Sequence, residues 1–159
     1  MKRTTFVLMP LLAIVLLTGC AHRVGSNQPP SRWENVNVWN AQLALYNNAI
    51  AKSLIAAQQA GAIDVEYVAR ITEEQDRIAK YDTELTNLLS LGEQAASGKS
   101  ADLERLIRQI NASATKLVNA GAASVKNPTA AAQLLADIGS LSQAGTTLLT
   151  LLQQTGVVK

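Results

Sequence analysis

Residues 103–118, LERLIRQINASATKLV, decide the fold class of this chain. Their apolar residues recur at steps of three and four, and polar or charged residues fill the positions between them. This spacing places the apolar side chains on one face of an α-helix, whereas a half-buried strand would alternate them with a period of two. The predicted buried face comprises Leu103, Leu106, Ile107, Ile110, Ala114, Leu117 and Val118.

The residues that flank this stretch indicate where the helix begins and ends. Ser100 and Asp102 suit its first turn, because their side-chain oxygens can accept from N–H groups that have no partner within the helix. Gly121 is expected to end it in the left-handed conformation that often follows a helix. Asn127 followed by Pro128 then predicts the start of another helix.

Three further segments have the same helical spacing, and none of them shows the alternation of a strand. The predicted buried face of the first segment comprises Val36, Trp39, Leu43, Tyr46, Ile50 and Ala57, with Asn35, Asn40, Asn47 and Lys52 facing water. That of the second comprises Val65, Val68, Ile71, Ile78, Leu85, Leu88 and Leu89, with Gln75 and Asp82 close to it. That of the last comprises Leu134, Leu135, Ile138, Leu141, Leu148, Leu149 and Leu152.

Short links connect these segments. Gly61 is expected to end the first helix and Asp64 to cap the second, which either continues to Gly98 or breaks near residues 90–92. Helices joined by short links fold back antiparallel. The sequence therefore predicts an all-α fold, an up-down-up-down antiparallel four-helix bundle over residues 33–159.

Two details of the helical segments bear on packing and on chemistry. Gly139 and Gly145 are expected to let the last helix approach its neighbours closely. The second segment carries a charged run that is typical of a solvated helix face rather than of a catalytic cleft. The run comprises Glu73, Glu74, Asp76, Arg77, Lys80, Asp82 and Glu84.

The N-terminus follows a different pattern. Lys2 and Arg3 precede an apolar run from Phe6 to Leu17 that only Pro10 interrupts. This run of about a dozen residues is shorter than the roughly 18 to 20 that a membrane-spanning helix needs. A charged start and a short apolar core are typical of an export signal.

The signal ends in Leu17-Thr18-Gly19-Cys20, which resembles the lipobox of bacterial lipoproteins; the resemblance covers residues 1–20. It implies that the signal peptidase recognises Leu17, Thr18 and Gly19, that lipid is attached to the sulfur of Cys20, and that cleavage precedes Cys20. It also implies acylation of the new amino terminus with fatty acids such as palmitate. The alternative is a free or disulfide-pairing cysteine at the edge of a membrane anchor.

The resemblance divides the chain into a cleaved signal at residues 1–19, a lipidated cysteine with a flexible tether at residues 20–32, and the helical domain at residues 33–159. Several acyl chains on one residue hold a protein at a membrane without a spanning helix. Because Ala21 rather than aspartate follows the cysteine, the rule for enteric lipoproteins implies an anchor in the outer membrane. The domain then faces the periplasm or, alternatively, the cell surface.

The composition disfavours nucleic-acid binding and catalytic or metal-binding sites. The 14 basic residues of the chain become 12 without Lys2 and Arg3, which equals the 12 acidic residues, so the sequence gives no attraction to nucleic acid. His22 is the sole histidine and lies in the expected tether, which leaves the helices without haem, di-iron or Ser-His-Asp ligands. We therefore expect no enzyme, cofactor or metal site.

Two kinds of function fit these observations. In the first, the chain is a helical binding or accessory module of a membrane or envelope assembly, acting through a protein partner or self-association. In the second, it is a periplasmic carrier that holds a small apolar ligand between its helices. Trp33, at the start of the first segment and outside its apolar pattern, is the candidate interface residue, touching either lipid or a partner.

Overall fold

The computed structural model of the chain describes residues 29–159, except for the side chains of residues 121–124. The described part is a helical bundle of five helices, and the predicted all-helical fold class is confirmed. The helices are α1 (Arg32–Gln59), α2 (Val65–Leu89), α3 (Glu93–Ser97), α4 (Ser100–Ser124) and α5 (Pro128–Gln154).

The start of α1 is fixed by a capping box. The N–H of Glu34 donates to Oγ of Ser31 over 3.1 Å, and the carboxylate of Glu34 accepts from the N–H of Ser31 over 2.6 Å. Helix α1 therefore begins at Arg32, which the sequence placed at the end of the tether. The guanidinium of Arg32 donates to the carbonyl of Gln154 over 2.8 Å and thereby links the start of α1 to the end of α5.

The core forms where the apolar faces of the four long helices meet. The predicted faces are confirmed at their central residues, since Leu43, Ile50, Ile78, Ile107 and Ile138 are fully buried. The face predictions are wrong at two outer positions. The side chain of Val65 in the first turn of α2 is 75% exposed, and that of Val118 on α4 is 37% exposed.

Glycines shape the turns at both ends of α2. Gly61 has φ 64°, as predicted for a left-handed cap after α1. Gly92 has φ 87° and lies in the turn after Leu89, so the second helical segment breaks and resumes as the short α3. This is one of the two outcomes that the sequence allowed.

The prediction that Gly121 ends the third segment is wrong, because α4 continues to Ser124. Glycine tolerates helical backbone angles at a modest energetic cost, so it does not by itself stop a helix. Asn127 is confirmed as a cap: its Oδ1 accepts from the N–H groups of Thr129 and Ala130 over 2.9 and 3.2 Å. Pro128 follows as the first residue of α5.

Contacts between helices connect all four long elements. Helix α1 contacts α2 and α5, α4 contacts α2 and α5, and α3 contacts α2 and α4. The α1–α2 link and the α4–α5 link lie together at one end of the bundle, since the N–H of Lys126 donates to the carbonyl of Ala62 over 2.7 Å. The ammonium of Lys126 also contacts the carboxylate of Asp64 at 2.6 Å. Asp64 precedes α2 as expected, but its carboxylate pairs with this lysine and makes no cap hydrogen bond.

Gly145 of α5 lies against the side chain of Asn111 on α4. A Cβ atom at this position would overlap the side-chain amide of Asn111, so the predicted close approach is confirmed here. Gly139 has nothing within 4 Å of the same position, so the expectation is wrong for this residue. The two glycines of one helix therefore differ in what a methyl group would meet.

We expect Gly145→Ala to destabilise the fold relative to Gly139→Ala. Alanine in place of an unhindered helical glycine adds about 1 kcal/mol of stability, whereas at position 145 this gain is reduced because the side-chain amide of Asn111 has to move aside. The measurement is the free energy of unfolding in urea for each variant. A double variant that also carries Asn111→Ala should recover the loss, because it removes the obstructing amide. Equal stability of the two single variants would contradict the close approach.

Candidate interaction surface

Of the candidate site residues predicted from the sequence, only Trp33 lies within the described residues. Leu17, Thr18, Gly19 and Cys20 lie outside the described residues, as does His22. The side chain of Trp33 is partly buried and packs against the hydrophobic core. Part of its ring is therefore occupied within the bundle, and its role as an interface residue stays a prediction.

The charged run of α2 is only partly a solvated face. The predicted pair of Glu73 and Arg77 is confirmed, with carboxylate and guanidinium 2.5 Å apart on the surface. Glu74, by contrast, is 15% exposed and lies 2.8 Å from Arg77 and 3.6 Å from Lys116 of α4. Its carboxylate thus joins two helices through ion pairs, which is a structural role.

Asp82 is a half-buried carboxyl group on α2. Desolvation by burial raises its pKa to about 6 from 3.8, because removal from water disfavours the charged form. Its Oδ1 is buried and accepts no hydrogen bond from the described residues. A raised pKa can mark a catalytic acid.

Asp82 lies on α2, whose contact with α1 includes several polar groups. Nδ2 of Asn40 donates to Oγ1 of Thr86 over 2.9 Å, and Nε2 of Gln75 donates to the carbonyl of Asn47 over 3.3 Å. Asn40 is only 8% exposed, so the prediction that it faces water is wrong. These hydrogen bonds join helices that are close in space and about 30 to 45 residues apart in sequence.

The pockets found along the described residues are open grooves on the surface. One groove of about 480 Å³ runs between α4 and α5, with Val118, Ile138 and Gly139 among its lining residues. Binding sites for small molecules usually enclose most of the ligand surface. An open groove does not do this, so its shape does not specifically favour the carrier function.

No helix of residues 29–159 combines the length and hydrophobicity that crossing a membrane requires. No group of three or more histidine, cysteine or carboxylate side chains in this region is arranged to hold a metal ion.

Charge is distributed unequally over the surfaces of the four long helices. The exposed charged residues of α2 are Glu66, Arg70, Glu73, Asp76, Arg77 and Lys80. Among the described side chains of α4 they are Arg105, Arg108 and Lys116. On α1 they are only Arg32 and Lys52, while every exposed residue of α5 is uncharged. Since α1 contacts α5, these two helices form one nearly uncharged face of the bundle.

A second row of exposed residues on α1 lies opposite its core-facing row. We call Val38, Ala41, Leu45, Asn48, Lys52 and Ile55 the outer stripe. Its three large apolar side chains are 54%, 58% and 53% exposed at Val38, Leu45 and Ile55. The six residues of the outer stripe follow one another at steps of three and four, a pattern that is visible in the sequence but is not found when each helix is expected to have one buried face.

Comparison with other proteins gives no relative for this chain: no protein family, no curated protein and no solved structure matches it.

We expect Asp82→Asn to stabilise the fold at neutral pH. The pKa of Asp82 is higher in the folded chain than its ordinary value of 3.8, so folding favours the protonated form. The native carboxyl therefore destabilises the fold above about pH 6, and this penalty disappears as the pH falls towards about 4. Thermal unfolding followed by circular dichroism should show the advantage of the variant near pH 7 and its loss near pH 4.

Asp76→Asn on the exposed surface of the same helix is the matched control and should show no such pH-dependent difference. If Asp82→Asn follows the native chain at both pH values, burial does not govern the titration of Asp82.

Proposed function

We propose that this chain is a lipid-anchored, non-catalytic lipoprotein of the bacterial envelope. Its helical domain acts as a binding or accessory module of a membrane or envelope assembly. The observation that carries the proposal is the nearly uncharged face of α1 and α5, with three exposed large apolar residues on α1. Exposed apolar surface of this kind is typical of sites that bind proteins.

The anchor is the part of the proposal that rests on the sequence. Residues 17–20 match the lipobox in order, and the apolar run before them has the length of a signal rather than of a spanning helix. Lipid on Cys20 then holds the domain at the outer membrane, facing the periplasm, with the cell surface as the alternative. The residues before Ser31 provide the tether.

For the arrangement of the helices we propose the up-down-up-down topology. The α1–α2 link and the α4–α5 link meet through Lys126, Ala62 and Asp64. The start of α1 and the end of α5 meet through Arg32 and Gln154. These contacts support a bundle in which each long helix reverses direction relative to the one before it, with α3 within one of the links.

A binding role agrees with how the titratable groups are used. The carboxylates of Glu73, Glu74 and Asp64 form ion pairs with basic side chains, which positions helices or links. Asp82 lies half-buried on α2 beside the contact with α1, where its ionisation affects packing. The proposal therefore assigns function to a surface and assigns structural roles to these charged groups.

We expect Cys20→Ser to abolish lipid attachment and to release the chain from the envelope fraction. Serine lacks the thiol that accepts the lipid, and the remaining helices offer no membrane span in the described region. Metabolic labelling with a palmitate analogue, followed by fractionation, measures both effects.

Ala21→Asp is the matched control, because it changes the neighbouring residue and keeps the thiol. It should retain the lipid and move the chain to the inner membrane. If the Cys20→Ser chain is processed normally and stays with the envelope, the proposed anchor is wrong.

A further inference from the structure

The contact between α1 and α2 contains a row of polar side chains from both helices. On α1 the row consists of Asn40 and Asn47, which lie two turns apart on one face. On α2 it consists of Gln75, Asp82 and Thr86, which also share one face. We call these five residues the polar row. It differs from the rest of the core, where leucine and isoleucine side chains meet.

Three oxygen atoms of the polar row receive no hydrogen bond from the described residues. They are Oδ1 of Asn40, of Asn47 and of Asp82, and all three are buried. A buried acceptor without a donor is unfavourable, because it has lost its contact with water and gained no partner. A donor within the row would therefore stabilise the contact between the two helices.

The hydrogen bonds of the row fix which residues of the two helices face each other. Asn40 bonds to a residue of α2 that lies four positions after Asp82, whereas Asn47 bonds to one that lies seven positions before it. The two helices therefore run antiparallel here, and Asp82 lies opposite residues 40–44 of α1. At about 1.5 Å per residue, Asp82 is within about 6 Å of Asn40 along the helix axes and farther, on average, from Asn47.

We propose that the protonated carboxyl group of Asp82 donates a hydrogen bond to Oδ1 of Asn40 and thereby holds α1 against α2, and that loss of this proton loosens the contact. A neutral carboxyl group has an O–H donor, whereas a carboxylate only accepts. Asn40 then forms the centre of a chain of hydrogen bonds, because its Nδ2 donates to Thr86. The fold would thus contain a pH-sensitive contact, which does not depend on the proposed lipid anchor.

The burial of the row determines the direction of the pH effect. Asn40 is 8% exposed and Gln75 is 7% exposed, and burial raises the pKa of Asp82 to about 6 from 3.8. The closed contact therefore binds the proton more tightly than a carboxyl group in water does. By linkage, the contact is most stable below about pH 4, loses stability as the pH rises from about 4 to about 6, and stays weakened above that range.

Helices α1 and α5 place no charged residue opposite Asp82. Between Glu34 and Lys52, α1 has no charged residue, and the phenol of Tyr46 is its one titratable group there. The sole charged residue of α5 is Asp137, which is hydrogen-bonded to a serine of α1. Neither helix therefore supplies a cation that would hold Asp82 in its ionised form.

The remaining charged neighbours lie on α2 itself, on α4 and on α3. Arg108 and Glu104 of α4 pair at 2.6 Å, and Arg105 pairs with Asp102 at 3.5 Å, so these basic groups have acidic partners on their own helix. Desolvation is thus the cause of the raised pKa of Asp82. The other titratable groups near Asp82 are Lys80, Tyr81 and Glu84 of α2 and Glu93 of α3.

Hydrogen–deuterium exchange of the full-length chain in detergent tests whether this contact loosens. Helices owe most of their stability to packing, so amides of α1 and α2 lose protection when the two helices separate. At each pH their protection is divided by that of α4 and α5 in the same sample, which removes the intrinsic pH dependence of exchange. We expect this ratio to fall at least about tenfold between pH 4 and pH 7. A constant ratio would overturn the inference.

Substitution of Asp82 tests the role of the proton. Asp82→Asn is neutral at both pH values, and its amide N–H can donate to Asn40 as the protonated carboxyl does. The ratio should therefore remain high at pH 7 in this variant. Asp76→Asn on the exposed surface of α2 is the matched control and should show the native fall. If the ratio of Asp82→Asn falls as in the native chain, the proton of Asp82 does not control the contact.

Substitution of Asn40 tests the acceptor. Asn40→Ala removes the bond from Asp82 at pH 4, where that bond exists, but not at pH 7. Urea unfolding should therefore show that the variant lowers the folding equilibrium constant at least about threefold more at pH 4 than at pH 7. In the Asp82→Asn background this difference should vanish.

Asn47→Ala is the matched control, because it removes the other asparagine of the row from the same face of α1. It should lower the folding equilibrium constant by the same factor at both pH values. An equal effect of Asn40→Ala at pH 4 and pH 7, or a pH-dependent effect of Asn47→Ala instead, would show that Asn40 does not accept the proton of Asp82 and would overturn the inference.

Discussion

The structure depends on the burial of one apolar face from each of four long helices. The described residues include no cysteine, so no disulfide among them stabilises the fold, and the fully buried leucine and isoleucine side chains supply most of the driving force. Burying a side chain of this size contributes about 1.5–3 kcal/mol, which explains why most of the buried positions hold leucine, isoleucine or valine. One face of each long helix is therefore committed to the core, and only the exposed residues on the other faces are available for binding.

The outer faces divide the molecule into two halves of different character. Helix α2 exposes charged residues of both signs and α4 exposes basic residues, whereas α1 exposes only Arg32 and Lys52 as charged residues and α5 exposes none. A charged surface stays hydrated, while an uncharged surface loses little on leaving water. This difference supports the proposal that the α1–α5 face is the contact surface of a binding module.

The fold class and the buried faces could be predicted because they depend on local periodicity. Leu43 and Ile107 are buried as their spacing requires, and Asn127 caps α5 by accepting from the N–H groups of Thr129 and Ala130. The burial of Asn40 could not be predicted, since it depends on Thr86, which lies on another helix. The continuation of α4 through Gly121 was missed for a related reason, because packing can outweigh the weak helix propensity of one glycine. The outer stripe was visible in the sequence, but only the arrangement of helices shows that the bundle leaves it exposed.

The central claim is that the α1–α5 face is covered when the chain is in the envelope. Hydroxyl-radical labelling of side chains, read by mass spectrometry, tests it by comparing intact envelopes with the same chain extracted and diluted in detergent. The account predicts that Val38, Leu45 and Ile55 react much less in the envelope than in the diluted sample, while the exposed Val65 reacts equally in both. Equal labelling of all four residues in the two samples would contradict it.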